Sequence, residues 1–390
     1  MGLLTYKYRI YPNRAQEAAL NEMLSDFCWV YNAALEQRIT AWGMKRRTLR
    51  YMDQAREIKA IRTEFPELQR WSFSALQSVL RRLDHAYQRF RAGGTRLPRY
   101  KSASRYRSAG FPFGDGLYIA KGTNKVRVKG ISGDIRVKWH RALPAKPCFA
   151  LVSHQHGRWY LCLSVEVNPS ARQSEAAVGV DFGLTNLVAL SDGTKVPRPR
   201  WTTQMARAMR RKQRAVARTQ MGSQARARRT VAVRKLHAKI VAKRTDYCHK
   251  LARTLVRDFG RIALEDLNAA RLGKGMHSKH VYDAAWGQLA EFIRYKAENA
   301  GGEVILVSAH GTSTICPRCE RKASKALENR VHECSCGCVM DRDVAAAHVI
   351  YHRAFGIWPG AGLGPLSAPD GVKLGPETIT CGSSLRPLSG

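Results

Sequence analysis

The stretch VGVDFGLTNLVAL, residues 178–190, restricts the fold more than any other part of this chain. Two short apolar runs, at 178–180 and 187–190, flank a carboxylate, a glycine and a polar turn. An uninterrupted apolar run of this length reads as a strand covered on both faces, inside a sheet. Asp181 ends that strand. There an ionised carboxylate is costly unless it is paired, protonated or bound to a metal. RIALEDLN (261–268) repeats the pattern, a short buried strand closing in acids, with Glu265 at its end. A third acidic site lies in MDRDVAAAHVI (340–350), where a helix begins. Asp341 is placed to cap that helix, which leaves Asp343 in the first turn as the candidate metal ligand.

Charge says what surrounds these acids. The 390 residues contain 66 Lys+Arg against 30 Asp+Glu, a formal charge of +36. Such a field attracts polyanions, nucleic acid above all. It fixes a partner class and not an activity, because a ribosomal or purely structural basic protein has the same balance. Recessed carboxylates amid Lys and Arg suggest Mg²⁺ and a phosphodiester, since hard oxygen ligands hold ions that promote hydrolysis. Ordinary salt bridges are the competing reading. The acids stand roughly eighty residues apart and meet only if the fold gathers them. The DFG at 181–183 also occurs in protein kinases, but no Gly-rich phosphate loop, V-A-I-K or H-R-D accompanies it, so that reading fails.

Of ten cysteines, five crowd into 316–338. CPRC (316–319) followed by CSCGC (334–338) is the spacing of a tetrahedral zinc site in a reducing compartment, not of a disulfide framework. Cys316 and Cys319 form the first pair. The second is Cys334 with Cys336 or with Cys338, and His332 is a weaker substitute.

Along the chain, LLTYKYRIY (3–11) alternates as a strand that Pro12 stops. Residues 16–90 turn helical, with Leu20, Met23, Leu24 and Phe27, then Leu76, Val79, Leu80, Leu83 and Tyr87, recurring at three and four. RAGGTRLPRYKSASRYRSAG (91–110) sets aromatics among basic residues, suited to phosphate contact and base stacking or to plain solvation. Residues 117–167 alternate as strands, with HQHGRW as a hairpin turn, and form a small antiparallel barrel or sandwich that the first strand can join. In the basic segment 203–256, no acid stands between Ala206 and Arg244, so self-repulsion there favours an anionic partner. Residues 284–300 read as a helix and 303–308 as a strand. The Gly/Pro/Ser-rich tail at 356–390 reads as disordered. No run of about 18 apolar residues predicts a membrane span, and the opening residues lack the pattern of a secretory signal.

GVDFGLTNLVALSDG, RIALEDLN, WGQLAEFIRYKAENAGGEVILV, TSTICPRC and DRDVAAAHVI resemble, in order, the signature blocks of the TnpB (OrfB) family of insertion-sequence proteins, compact relatives of type V CRISPR effectors. YKYRIYPNRAQEAAL and LPRYKSASRYRSAGF are similar to its N-terminal blocks. The resemblance implies an α/β fold with separate β and α parts. These are a RuvC-like nuclease domain of RNase H fold (175–310 and 341–355) and a zinc-knuckle insertion (311–340), preceded by a β-barrel wedge domain (1–12 and 112–170) with a helical recognition insert (13–111). The activity it implies is RNA-guided cleavage of DNA beside a short motif. The partners would be a guide RNA, transposon-end derived or crRNA-like, and target double-stranded DNA, in a prokaryotic cytoplasm at the nucleoid. By motif, Asp181, Glu265 and Asp343 become the catalytic carboxylates holding two Mg²⁺ ions, and Cys316, Cys319, Cys334 and Cys336 (or Cys338) hold one structural Zn²⁺. Three positions depart from the family pattern: Ala345 where Asn is usual, Glu320 where Gly follows the first cysteine pair, and C-S-C-G where C-x-x-C-G is usual. Guide-directed binding with weak or no cleavage is therefore the alternative. A transposase acting on its own element ends ranks below both, for want of a tyrosine or serine recombinase constellation.

Overall fold

The computed structural model describes residues 2–112, 114–120, 122–171, 174–266, 285–322 and 329–359. They divide between two compact units, Met1–Val167 and Asn168–Gly390. Residues 267–268 of RIALEDLN, residue 284 of the expected helix and the tail from 360 onward lie outside the described residues.

In the first unit, β1 (Gly2–Tyr11) alternates as its sequence demands, with Tyr8 and Ile10 buried and Leu3, Thr5 and Lys7 exposed. Helix α1 (Arg14–Lys45) begins in a capping box. Asn13 Oδ1 accepts from Gln16 N at 2.8 Å, and Asn13 N donates to Gln16 Oε1 at 3.1 Å. Two donors that the helix leaves unsatisfied are thereby paired. Leu20, Met23, Leu24, Phe27, Tyr31 and Leu35 form the buried stripe of α1. Helices α2 (Tyr51–Glu64) and α3 (Phe73–Arg91) complete the helical part. Arg38 is buried within it but paired, to Asp84 at 3.0 Å and to Gln54 Oε1 at 2.8 Å.

The chain then returns to strands: β2 (Ser108–Pro112), β3 (Leu117–Ile119), β4 (Lys125–Val128), β5 (Ile135–Lys138), β6 (Pro147–Gln155) and β7 (Arg158–Val167). They form one seven-stranded antiparallel sheet in the order β2-β6-β7-β1-β5-β4-β3. The first strand lies at its centre, between β7 and β5, both of which follow the helical segment in sequence. The expected hairpin turn falls at His156 and Gly157, both left-handed (φ 52° and 74°), the twist that matches tight hairpins.

The second unit is built on a mixed sheet. Its strands are β8 (Ala177–Phe182), β9 (Asn186–Leu190), β10 (Lys195–Pro197), β11 (Arg261–Glu265) and β12 (Glu303–Val307). The order is β10-β9-β8-β11-β12, antiparallel from β8 to β10 and parallel across β8, β11 and β12. Helices α4 (Trp201–Ala217) and α5 (Gln224–Asp258) connect β10 to β11, and α6 (Trp286–Asn299) leads into β12. A two-stranded hairpin, β13 (Val331–Glu333) with β14 (Val339–Asp341), runs directly into α7 (Arg342–Phe355). One face of the sheet packs Val178, Val180, Ile262 and Leu264 against Leu251 and Leu255 of α5 and Leu289 and Ile293 of α6. The opposite face receives α7, where Ala263 and Val307 meet Ile350. Among the described residues no helix is long and apolar enough to cross a membrane.

α4 and α5 form a helical hairpin with a strongly basic surface. Arg226 and Arg229 of α5 donate to the backbone oxygens of Val216, Thr219 and Ala215 at the end of α4, neutralising the negative end of that helix. Arg210, Arg211, Arg214, Arg228, Arg234, Lys235, Lys239 and Lys243 remain exposed. Core residues of α5 begin only at Ile240, so its first half contributes charge rather than packing.

Candidate functional site

Alternation along two adjacent strands builds the site. Val178, Val180 and Phe182 face α5 and α6, so Gly179 and Asp181 face α7; Ile262 and Leu264 likewise turn Ala263 and Glu265 toward α7. β8 and β11 run parallel with Ala263 opposite Gly179 and Leu264 opposite Val180. One further step along that register sets Glu265 level with Asp181 at the carboxyl ends of both strands. From there β8 continues to β9 on one side and β11 to β12 on the other, a topological switch point where open α/β sheets bind ligands.

α7 brings the third acid to the same edge. Asp341 is its N-cap, its Oδ1 accepting from Asp343 N at 2.9 Å and Val344 N at 3.2 Å. Asp341 Oδ2 is engaged by Lys195 Nζ at 3.0 Å. With both oxygens of Asp341 occupied, Asp343 is the acid left to act. Its Oδ2 accepts from Asn186 Nδ2 at 3.3 Å and lies 3.6 Å from where a Cβ on Gly183 would stand. Gly179 is what lets α7 approach: a Cβ there would meet Ala347 O at 2.2 Å and Tyr351 N at 2.8 Å. Both are backbone atoms that cannot swing aside. A Gly179→Ala substitution is expected to cost about 2 kcal/mol or more, the upper range for overpacking. It should lower the melting temperature by several degrees in calorimetry and move Asp343 away from Asp181.

Asp181 senses the charges of the other two acids. Asp181 is held well above the ordinary carboxylate range, first by burial, then by the charges of Glu265 and Asp343, with Arg342 opposing. Burial also raises Glu265, offset by a hydrogen bond from the Thr312 hydroxyl and by Arg353. Burial and the neighbouring Asp341 raise Asp343, offset by the Asn186 amide. Their oxygens are not clustered like the cysteine sulfurs: among the described residues, only groups within the cysteine segment bring three or more ligand atoms within 4.8 Å of one another. A pair of ions roughly 3.5–4 Å apart asks for oxygens more widely spaced than the ligands of a single ion. An all-oxygen donor set with raised carboxylates suits a hard divalent cation.

Sequence reading did not single out Asn186, Thr312 or Lys195, which position the acids. Asn186 had a visible signal, as the one amide opening an otherwise apolar strand. Thr312 had none, because its contact with Glu265 spans 47 residues of chain.

The cysteine segment forms a second centre. Cys316 and Cys336 have Sγ atoms 3.6 Å apart, Cys319 and Cys334 3.5 Å, and all four lie within 4.8 Å of one another. Zn–S bonds of about 2.3 Å give a tetrahedron with an edge of ~3.8 Å, so the four sulfurs fit a single zinc ion. Cys338 and His332 fall in a separate, overlapping group with Cys316. Glu320, which follows the first pair, is left-handed at φ 61° while its N–H bonds Cys316 O at 2.9 Å. A side chain costs about 1–2 kcal/mol in that conformation and glycine does not. Glu320→Gly is therefore expected to strengthen zinc retention roughly tenfold, read by competition with a chromogenic chelator.

Comparison with known proteins matches three stretches of the chain. Residues 160–274 match the OrfB_IS605 family ("Probable transposase"), residues 286–350 the Cas12f1-like TNB domain, and residues 1–47 the helix-turn-helix domain of OrfB_IS605 proteins. A Streptomyces pristinaespiralis protein, named a candidate RNA-guided DNA endonuclease, is 33% identical over 97% of this chain and 94% of its own length. The chain belongs to the OrfB (TnpB) family. Another relative, the Escherichia coli K12 protein InsQ, similarly named, is 24% identical over 89% of this chain and 90% of its own. Among solved structures, the Cas12f1 protein of a Cas12f1–sgRNA–target DNA complex has a TM-score of 0.57 at 14% identity, covering 86% of this chain and 83% of that one. That likeness establishes a fold shared between this TnpB-family chain and Cas12f1. Within residues 1–47, matched as helix-turn-helix, the described residues form β1 followed by the long helix α1.

Proposed function

We propose that this protein is an RNA-guided DNA endonuclease whose second unit is a RuvC-like, Mg²⁺-dependent nuclease domain. The observation that supports the reading is the β8–β11 register, whose next step brings Glu265 level with Asp181, together with the effect of the Glu265 and Asp343 charges on Asp181. The names of the family relatives and the fold shared with Cas12f1 support it. Asp181, Glu265 and Asp343 would hold two Mg²⁺ ions. When bound there, Mg²⁺ supplies the Lewis acidity that activates water and stabilises the leaving oxygen of a phosphodiester. Thr312 fixes the Glu265 carboxylate, Asn186 fixes that of Asp343, and Asp341 spends its lone pairs on the helix start and Lys195. The exposed arginines and lysines of α4 and α5 would hold a guide–target duplex by its phosphates, leaving sequence choice to base pairing. The four-sulfur cysteine set would hold one structural Zn²⁺.

The alternative, guide-directed binding without efficient cutting, rests on Ala345, which is buried on α7 and offers no amide. Asn186 provides an amide to Asp343 from β9 instead. Asn186→Ala leaves that recessed carboxylate without its donor and is expected to slow cleavage about tenfold, equivalent to ~1.4 kcal/mol. Asn186→Asp should slow it further by setting another carboxylate against Asp343.

The deciding experiment supplies the protein, purified with its co-expressed RNA, with a plasmid library of randomised flanking sequence. Cuts that require both the RNA and Mg²⁺ are expected. RNA-dependent binding with no cuts at any Mg²⁺ concentration establishes the alternative.

A further inference from the structure

The tetrahedral sulfur set is complete without Cys338 and His332, yet neither is placed like a surplus residue. Cys316, Cys338 and His332 are 0%, 8% and 0% exposed, and their ligand atoms lie within 4.8 Å of one another. His332 sits at the centre of β13, paired in register with Met340 of β14, and Cys338 immediately precedes β14. The backbone fixes this end of the loop, with Cys334 N donating to Cys338 O at 3.0 Å and Gly337 N to Cys334 O at 2.9 Å. The hairpin thus aims a thiol and an imidazole inward at the sulfur that already belongs to the first set.

We infer that the cysteine segment is a two-zinc centre in which Cys316 bridges a four-sulfur ion and a second ion held by Cys316, His332 and Cys338. A thiolate has lone pairs enough for two metals. An imidazole and two thiolates are also the donor types that zinc takes, with the fourth position left to solvent or another donor. Each ligating thiol gives up its proton on binding, so filling the second site releases the proton of Cys338 and leaves every sulfur in the same oxidation state. A blander arrangement has His332 and Cys338 as buried packing around a single ion. In that case the ligand atoms gain nothing from converging, and removing either leaves the metal content at one.

Metal content decides between them without reference to nuclease activity. The full chain is purified under reducing conditions, freed of loose metal by passage over a weak chelating resin, and its zinc counted by mass spectrometry against amino-acid analysis. Two zinc ions per wild-type chain are expected, falling to one in Cys338→Ser and in His332→Ala. Cobalt titration of the wild-type chain gives a second readout that no variant's folding can confuse. Two equivalents should bind, with the thiolate charge-transfer band still growing during the second. One zinc per wild-type chain, or cobalt saturation at a single equivalent, overturns the inference. Two zinc ions retained in both variants would overturn it too, by moving the second ion elsewhere.

Discussion

An Asp181→Asn variant is expected to lose cleavage by about a thousandfold or more while still binding its RNA and target. The size follows from the role: a charge-stabilising ion contributes several kcal/mol to the transition state, and each 1.36 kcal/mol is a factor of ten. Asp181 stands at the junction of the other two acids, and both of their charges raise its proton affinity. A group whose folded pKa lies above its unfolded value stabilises the fold at low pH and loses that contribution as pH rises through the folded value. Ionising Asp181 in the metal-free cluster is therefore costly, and an amide at that position takes on no charge. Asp181→Asn should melt at or above the wild-type temperature in the absence of divalent ions. Lost cutting with undiminished stability separates a chemical role from a structural one; a variant that merely unfolds would speak against the assignment.

Loss of the proposed four-sulfur zinc site is expected to have the second largest effect, although none of its ligands belongs to the three-carboxylate set. β13 and β14 have three residues each, too few to pair stably alone, and structural zinc contributes roughly 10–16 kcal/mol to small folds of this kind. β14 ends on Asp341, and the next residue starts α7, so the hairpin sets where the first turn of α7, with Asp343, is placed. Cys319→Ser should leave the helical circular dichroism of the second unit nearly intact. It should expose the segment around 311–341 to protease and reduce cleavage by a hundredfold or more. If Cys319→Ser cuts at the wild-type rate with the segment digested, the zinc hairpin does not position Asp343.

Much of this was legible in the chain because it rests on local rules. Two-residue alternation marks β1 and the β6–β7 hairpin, and unbroken apolar runs mark β8, β9 and β11 as interior strands. Asp341 is legible as a cap because a short acid before an alanine-rich run has few other uses. What sequence could not supply was anything that depends on register or on a close approach between distant segments. The equivalence of Asp181 and Glu265 requires knowing that β8 and β11 pair in parallel. The demand for glycine at 179 appears only once α7 lies across it, with backbone atoms where a side chain would be. Asn186 and Thr312 act through contacts that span 157 and 47 residues. Glu320 is the converse case: the resemblance flagged the position, and the left-handed backbone supplies the physical reason glycine suits it.

Manganese binding to the RNA-free chain tests the gathering of the three acids most directly, because Mn²⁺ prefers oxygen ligands and reports itself by electron paramagnetic resonance. Two ions per wild-type chain are predicted, with the spin coupling of neighbouring sites, and both weakened in Asp181→Asn. Binding that is absent, or that Asp181→Asn leaves undiminished, would contradict the account.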